Sequence, residues 1–153
     1  MADRDGMVDV SGKDVTVRTA KASGTITLGE KAFQVVEEGT CTKGDVLATA
    51  KVAAIQAAKS TPALIPMCHP LMIEAVDVDF TRDESGKSVT SVVTVRSTGK
   101  TGVEMEALTA AGLACLTIYD MLKYIGKDMV IGPIKLLRKT GGKSGDYAAD
   151  EQT

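Results

Sequence analysis

Four segments of the chain carry the residue patterns of β-strands, either as alternating apolar and polar positions or as runs of strand-forming residues. They are 20–28, 73–80, 89–95 and 129–139. The polar turn at 83–87 separates the second from the third, which predicts a hairpin. In the fourth, Gly132-Pro133 predicts an edge strand or a late strand start, because proline cannot donate to a sheet ladder.

The spacing of apolar residues predicts three helices between these strands. The first is short, spans 30–38 and ends at Gly39, a residue type common after helix C-termini. The second runs from about 43 to 59, and we expect Pro62 to stop it. The third spans 103–125, is followed by Gly126 and is apolar on most faces, which predicts a buried helix.

The resulting order, β-α-α-β-β-α-β, predicts an α+β fold of the ferredoxin-like, split βαβ type. Such a fold has one antiparallel four-stranded sheet with its helices on one face. The other face is left open, so we expect it to be covered in an oligomer. Residues 1–153 are predicted to form a single domain, with a loosely ordered arm at 1–20 and a flexible loop and tail at 141–153.

Composition narrows the class of protein. The chain has 153 residues, of which 44% are hydrophobic and 25% charged, as in soluble globular proteins. Proteins that bind nucleic acid usually have basic surfaces and aromatic side chains that stack on bases. A net charge of −2 and the absence of Trp therefore argue against a nucleic-acid partner. The N-terminal residues lack the apolar stretch of a signal peptide, and the longest apolar stretch contains charged residues. We therefore predict a cytoplasmic protein with no membrane association.

Cysteine and histidine are too sparse to indicate a metal site. The three cysteines, Cys41, Cys68 and Cys115, are far apart in sequence, and His69 is the only histidine. No disulfide framework and no zinc motif are therefore expected. We predict no resident metal or organic cofactor.

The longest predicted helix carries a narrow polar strip. At about 100° per residue, Glu106, Asp120 and Lys123 share one side, and Glu104 falls almost opposite. The strip is either a solvated helix face or the lining of a cleft. Asp120 and Lys123 are three residues apart, so they are close enough to pair and to act as an acid–base couple. Surface ion pairs with this spacing are also common.

Two loop segments have an ordinary and a functional interpretation. The Gly-Lys-Thr-Gly turn at 99–102 opens the long helix, and is either a flexible turn or an anion site made of free backbone N–H groups. It is not a P-loop, because Thr94 stands where that motif needs glycine. His69, between Cys68 and Pro70, is either a structural loop histidine or a residue held in place for function.

Seven blocks of sequence carry a more specific signal. They are Met7-Val-Asp-Val-Ser, Lys43-Gly-Asp-Val-Leu-Ala-Thr-Ala, Leu64-Ile-Pro-Met-Cys-His-Pro-Leu71, Thr98-Gly-Lys-Thr-Gly-Val-Glu-Met-Glu-Ala-Leu-Thr-Ala110, Thr117-Ile-Tyr-Asp-Met-Leu-Lys123, Lys127-Asp-Met-Val-Ile-Gly-Pro133 and Gly141-Gly-Lys-Ser-Gly-Asp146. In this order the blocks resemble the molybdenum cofactor biosynthesis protein C family, the cyclic pyranopterin monophosphate synthases.

The resemblance implies a reaction and an assembly. The substrate would be the GTP derivative 3′,8-cyclo-7,8-dihydro-GTP, supplied by a radical enzyme, and the products would be cyclic pyranopterin monophosphate and pyrophosphate. This is a lyase reaction early in molybdenum cofactor biosynthesis, with Mg²⁺ expected only as a companion of the triphosphate. The family forms hexamers built as trimers of dimers, with the pocket at the dimer interface.

The resemblance also implies which residues form the site. Asp120, Lys123 and Lys43 would be catalytic. Substrate would be bound by Met67, Cys68, His69, Glu104, Met105, Glu106, Arg18 and Lys139. Two functions from other classes stay as alternatives. One is a nucleotide-binding regulator without turnover, and the other is a structural oligomer whose polar strip is a salt-bridged seam.

Overall fold

Three helices and five strands form the described part of the computed structural model, which covers residues 5–149. In chain order they are β1 (Thr16–Thr27), α1 (Glu30–Glu38), α2 (Val46–Leu64), β2 (Ile73–Asp83), β3 (Ser88–Gly99), α3 (Glu104–Leu122), β4 (Val130–Thr140) and β5 (Tyr147–Ala148). Neighbouring strands are antiparallel, in the order β2-β3-β1-β4-β5. The predicted α+β fold with an open antiparallel sheet is confirmed, but over 5–149 the sheet has five strands and not four.

The central strand β1 brings the sheet unusually close to helix α3. Ala20, Ala22 and Ile26 of β1 are fully buried, and Gly24 continues their face. A Cβ atom at Gly24 would lie 2.8 Å from the backbone oxygen of Ala111 in α3. The Ser91 hydroxyl lies within hydrogen-bond distance of this oxygen, at 3.0 Å. Small side chains therefore let α3 pack directly on the sheet, which fixes where both ends of the helix lie.

Helix α3 is confirmed as a core helix. It is the one helix within 5–149 that is long and apolar enough to cross a membrane by composition, with a mean hydropathy of 1.3. In the fold, 56% of this stretch is buried, and α3 packs on α2, β1, β3 and β4. Its hydrophobicity is therefore explained by burial within the protein.

The face of the sheet that points away from the helices is mostly polar. It therefore does not by itself require a partner to cover it. Side chains alternate along β1 and β3, so the residues between the buried positions point away from the helices. These outward residues are mostly polar; they include Thr19, Lys21, Thr25, Thr94 and Arg96. Thr25 and Thr90 are hydrogen-bonded across the strands at 2.8 Å. The reason to expect an oligomer must therefore come from elsewhere in the structure.

The predicted arm and tail are wrong in part. Strand β1 begins at Thr16, so 16–20 is not a loosely ordered arm, and Arg18 is buried on the strand. Within the predicted flexible tail, β5 pairs with Arg138 and Lys139 of β4. The 16–20 segment pairs with β3 and β4, which are distant in sequence. Strand β5 follows β4 closely but has only two residues, too few to show a strand pattern. Residues 1–4 and 150–153 of the arm and tail lie outside the described residues.

Helix α2 continues past the proline that was expected to stop it. Pro62 lies in the last turn, and α2 ends at Leu64. Proline has no N–H, so it cannot donate to the carbonyl one turn earlier. Two nearby bonds hold this turn together: the Thr61 hydroxyl donates to the Ala57 carbonyl at 2.9 Å, and the Ile65 N–H donates to the Thr61 carbonyl at 2.9 Å.

Candidate active site

Three predicted catalytic residues meet at the C-terminal end of α3. Asp120 Oδ1 lies 2.8 Å from Lys123 Nζ, which confirms the predicted pairing of these two residues. Lys43, from the loop before α2, donates through Nζ to the backbone oxygen of Asp120 at 2.8 Å. We call these residues, Lys43, Asp120 and Lys123, the Asp120 cluster.

The loop that carries Lys43 is held on both sides. Before it, the Thr42 N–H donates to the Tyr124 hydroxyl at 3.2 Å. After it, Asp45 caps α2 by accepting a 2.9 Å hydrogen bond from the Ala48 N–H. Tyr124 was missed by the sequence reasoning, because its contact with Thr42 joins segments that are far apart in the chain. Its role is to position the lysine loop against the end of α3.

Asp120 and Lys123 stabilise each other's charged form. The hydrogen bond and charge of Lys123, followed by the charge of Lys43, lower the pKa of the Asp120 carboxyl. The hydrogen bond and charge of Asp120 in turn raise the pKa of the Lys123 ammonium. Both side chains are exposed. A carboxylate that can accept a proton and an ammonium group that can donate one are therefore presented together to solvent.

The other predicted site residues lie at the N-terminal end of α3. Glu104 Oε1 is 2.7 Å from Lys139 Nζ. Arg18 donates through Nε to the Gly99 carbonyl at 3.0 Å. The Glu104 carboxylate also lies against Gly102, so it occupies the helix start where sequence reasoning had placed an anion site as one alternative. Arg18, Cys68, Glu104, Glu106 and Lys139 are called the Glu106 cluster below.

Glu106 is a buried acid with no partner within residues 5–149. It is 1% exposed, and neither carboxyl oxygen has a hydrogen-bond partner among the described residues. Burial, with a smaller contribution from the charge of Glu104, raises the pKa of the Glu106 carboxyl to about 7. Burial and the charges of Glu106 and Glu104 likewise raise the pKa of the Cys68 thiol. An unpaired buried carboxyl is costly, so this position is typical of a group that contacts a ligand or a second chain.

The remaining three predicted binding residues flank the Glu106 cluster. Met67 and His69 lie next to Cys68 in the connection between α2 and β2, where Met67 is exposed and His69 half-buried. Met105 lies between the two glutamates on α3 and is 36% exposed. All eight predicted binding residues are therefore at one end of the molecule.

The cleft predicted from the helical strip is not formed within one chain. Glu106 and Asp120 are about 21 Å apart along α3, at about 1.5 Å of rise per residue. Their surroundings also differ, because Glu106 is buried and Asp120 is exposed to solvent. The helical projection gave the direction of each side chain but ignored its position along the axis, so it joined residues from opposite ends.

Metal-binding residues do not cluster in the described part of the chain. Over 5–149, no group of three or more His, Cys, Asp and Glu side chains lies close enough together to hold a metal ion. The predicted site residues instead form an acid–base pair at one end of α3 and, at the other end, a buried carboxyl near two cations.

These groups lie on an α+β scaffold with an open antiparallel sheet. A family model described as the MoaC family matches residues 7–142. The chain therefore belongs to the MoaC family, an enzyme family of molybdenum cofactor biosynthesis, and the resemblance found in the sequence blocks is confirmed.

Proposed function

We propose that this protein is a lyase that converts 3′,8-cyclo-7,8-dihydro-GTP to cyclic pyranopterin monophosphate and pyrophosphate. The observation that carries the proposal is the Asp120 cluster in a chain of the MoaC family. Its ion pair supplies a base and an acid within 2.8 Å of each other, and Lys43 adds a second ammonium group.

The reaction has two parts with different demands. Rearrangement of the ring system requires protons to be moved among ring nitrogens and carbons, which suits Asp120 as a base and the two lysines as acids. Closure of the cyclic phosphate forms a bond between a ribose oxygen and the α-phosphorus and breaks the bond from that phosphorus to the pyrophosphate. This second part is phosphoryl transfer, in which positioning and charge stabilisation dominate. Arg18 and Lys139 are suited to that role.

We also propose that each complete site is built from two chains. The Glu106 and Asp120 clusters lie at opposite ends of one helix, and one small molecule cannot reach both across about 21 Å. A two-fold axis near the middle of α3 would place the helices of two copies antiparallel, with the Glu106 cluster of each beside the Asp120 cluster of the other.

The surface of α3 supports this arrangement. Met105, Leu116 and Lys123 fall within about 20° of one another around the helix. Leu116 is 52% exposed and Met105 is 36% exposed, so two large apolar side chains on this side of α3 are accessible. Contact between the helices of two copies would bury these side chains and join the two clusters of each site. Three dimers of this kind would form the expected hexamer.

The remaining expectations follow from the same reaction. The protein would need no resident metal or organic cofactor, and Mg²⁺ would arrive with the triphosphate. Its substrate would come from a radical enzyme in the same cytoplasmic pathway. No nucleic acid or membrane takes part.

The decisive experiment is to mix the purified protein with the cyclised GTP intermediate. Formation of cyclic pyranopterin monophosphate with an equal amount of pyrophosphate is expected, with Asp120→Asn as the inactive control. A regulator would bind the intermediate without forming either product, and a structural oligomer would do neither. Either of those results would overturn the proposal.

A further inference from the structure

The lysine loop, residues 41–44, closes the C-terminal end of α3. The Cys41 thiol donates to the Met121 carbonyl, with 3.5 Å between sulfur and oxygen. Two residues further on, the Lys43 ammonium group donates to the Asp120 carbonyl at 2.8 Å. Carbonyl groups in the last turn of a helix have no N–H partner within the helix. These two side chains of the loop therefore satisfy backbone groups that α3 leaves open.

A third contact, between Thr42 and Tyr124, runs in the opposite direction. Here the loop contributes a backbone group, the Thr42 N–H, and the α3 side contributes the Tyr124 hydroxyl, 3.2 Å away. Tyr124 lies in the turn after α3, which is closed by a 2.9 Å hydrogen bond from the Ile125 N–H to the Leu122 carbonyl. Thr42 directly precedes Lys43, so this contact fixes the backbone next to the lysine.

The rest of the lysine loop leaves its backbone little freedom. The Gly44 N–H donates to the Cys41 carbonyl at 3.2 Å, which closes a tight turn around Lys43. Gly44 has a φ of +116°, a conformation that favours glycine. Before the loop, the Thr40 N–H donates to the Val35 carbonyl at the end of α1, at 3.1 Å. Lys43 therefore extends from a backbone that is held on both sides.

We propose that Cys41 and Tyr124 are positioning residues that hold the Lys43 ammonium group at Asp120. The inference rests on the proposed function, in which Lys43 is one of the acids. A lysine has a flexible stem and a strongly hydrated charge, so on a mobile loop its ammonium group would be in solvent for much of the time. A displacement of about 1 Å can cost a catalytic group on the order of 100-fold in rate.

Both residues act through the lysine loop and need no contact with the substrate. Cys41 holds the start of the loop, and Tyr124 holds the peptide group next to Lys43. The predicted substrate-binding residues are at the other end of α3. Loosening the loop should therefore slow proton transfer, seen in kcat, and leave KM nearly unchanged.

Initial rates with the cyclised GTP intermediate test the two contacts separately. Tyr124→Phe removes only the acceptor of one hydrogen bond, and Cys41→Ala removes only the donor of the other. Each is expected to lower kcat about fivefold, as loss of one hydrogen bond does, with KM unchanged within about twofold. Cys41→Ser keeps a donor and is expected to restore most of the rate. Tyr147→Phe, which alters an exposed tyrosine on β5, is the matched control and should behave like the wild type.

Hydrogen exchange gives a measurement that does not depend on turnover. Deuterium uptake in the peptide that spans 40–46 is followed by mass spectrometry in the full-length protein. In Tyr124→Phe the Thr42 amide loses its partner, so this peptide is expected to take up deuterium at least about threefold faster than in the wild type. In Tyr147→Phe it should exchange at the wild-type rate.

The outcomes separate this inference from the proposed function. Unchanged kcat and unchanged exchange in Tyr124→Phe and Cys41→Ala would overturn it. A rise in KM without a fall in kcat would overturn it too, as would a Cys41→Ser variant as slow as Cys41→Ala or an equal loss of rate in Tyr147→Phe. Faster exchange in Tyr124→Phe, with no pyranopterin formed even by the wild type, would support the anchoring of Lys43 and overturn the proposed reaction.

Discussion

Glu106 and Asp120 lie on the same helix but about 21 Å apart along its axis, the first buried and the second exposed. Each belongs to a separate cluster of charged side chains. A catalytic site that uses both must therefore take one from each of two chains, and this relationship leads to the first prediction.

Activity is expected to return when two inactive variants are allowed to exchange subunits. His69→Ala damages the Glu106 end and Asp120→Asn damages the other end, so a mixed dimer regains one site with a full set of residues. In an equal mixture of dimers, about a quarter of the wild-type sites should be restored. Turnover after co-refolding measures this, with mass spectrometry to prove that subunits have exchanged.

The matched control combines two lesions at the same end. His69→Ala with Glu106→Gln should give no recovery, because every site in the mixture lacks one of the two residues. If the first mixture also stays inactive despite proven exchange, His69 and Asp120 do not come from different chains.

Removing either partner of the Asp120–Lys123 pair is expected to reduce turnover by a factor on the order of 100, since the acid or the base is lost. Asp120→Asn and Lys123→Ala change exposed groups, so the fold should be retained. Initial rates with the cyclised GTP intermediate are the measurement. Glu84→Gln is the control, because it breaks an exposed pair with the same spacing, Lys87 with Glu84 at 3.2 Å. Near-normal rates in both Asp120 cluster variants would refute the assignment.

The stability of the wild type is expected to fall as pH rises through the range in which Glu106 titrates. In the unfolded chain this carboxyl ionises near 4.5, whereas in the fold it keeps its proton until about 7. Over that interval the folded state binds more protons, so the free energy of unfolding decreases with increasing pH.

Urea unfolding at two pH values on either side of this interval gives the size of the effect. The wild type should lose on the order of 3 kcal/mol more than Glu106→Gln, which cannot ionise. The change in the free energy of unfolding between the two pH values is compared for the two proteins. Contributions from all other titrating groups cancel in this difference. Equal losses would mean that Glu106 is not a buried acid in the protein.

Gly24→Ala is expected to destabilise the fold by about 2 kcal/mol, as overpacking of a tight core does. The added methyl group would lie 2.8 Å from the Ala111 backbone oxygen and 3.2 Å from Cys115 Sγ, so β1 and α3 would have to separate. Gly12→Ala is the control, since no atom lies within 4 Å of a Cβ there. Thermal unfolding of both variants measures the difference, and similar stability would show that the strand and helix are not in direct contact.

Local sequence was sufficient to predict most elements. A short stretch of sequence is enough to show the apolar spacing typical of a helix or a strand. This holds for the hairpin of β2 and β3, for the short helix that ends at Gly39, and for the buried helix α3. The 132–133 segment of β4 has no described neighbour on its outer side, since β5 pairs only with Arg138 and Lys139. That agrees with the edge position that Gly132-Pro133 predicted.

Only the tertiary structure decided which of the chemically interesting residues can act together. The sequence by itself determined that Asp120 and Lys123 pair, because three residues of helix bring them onto neighbouring turns. It could not show that Arg18 is buried, that Glu106 lacks a partner among the described residues, or that Lys43 and Lys139 lie beside opposite ends of α3. Burial and distance depend on strands and helices that pack across long stretches of sequence, and a local pattern contains no information on those contacts.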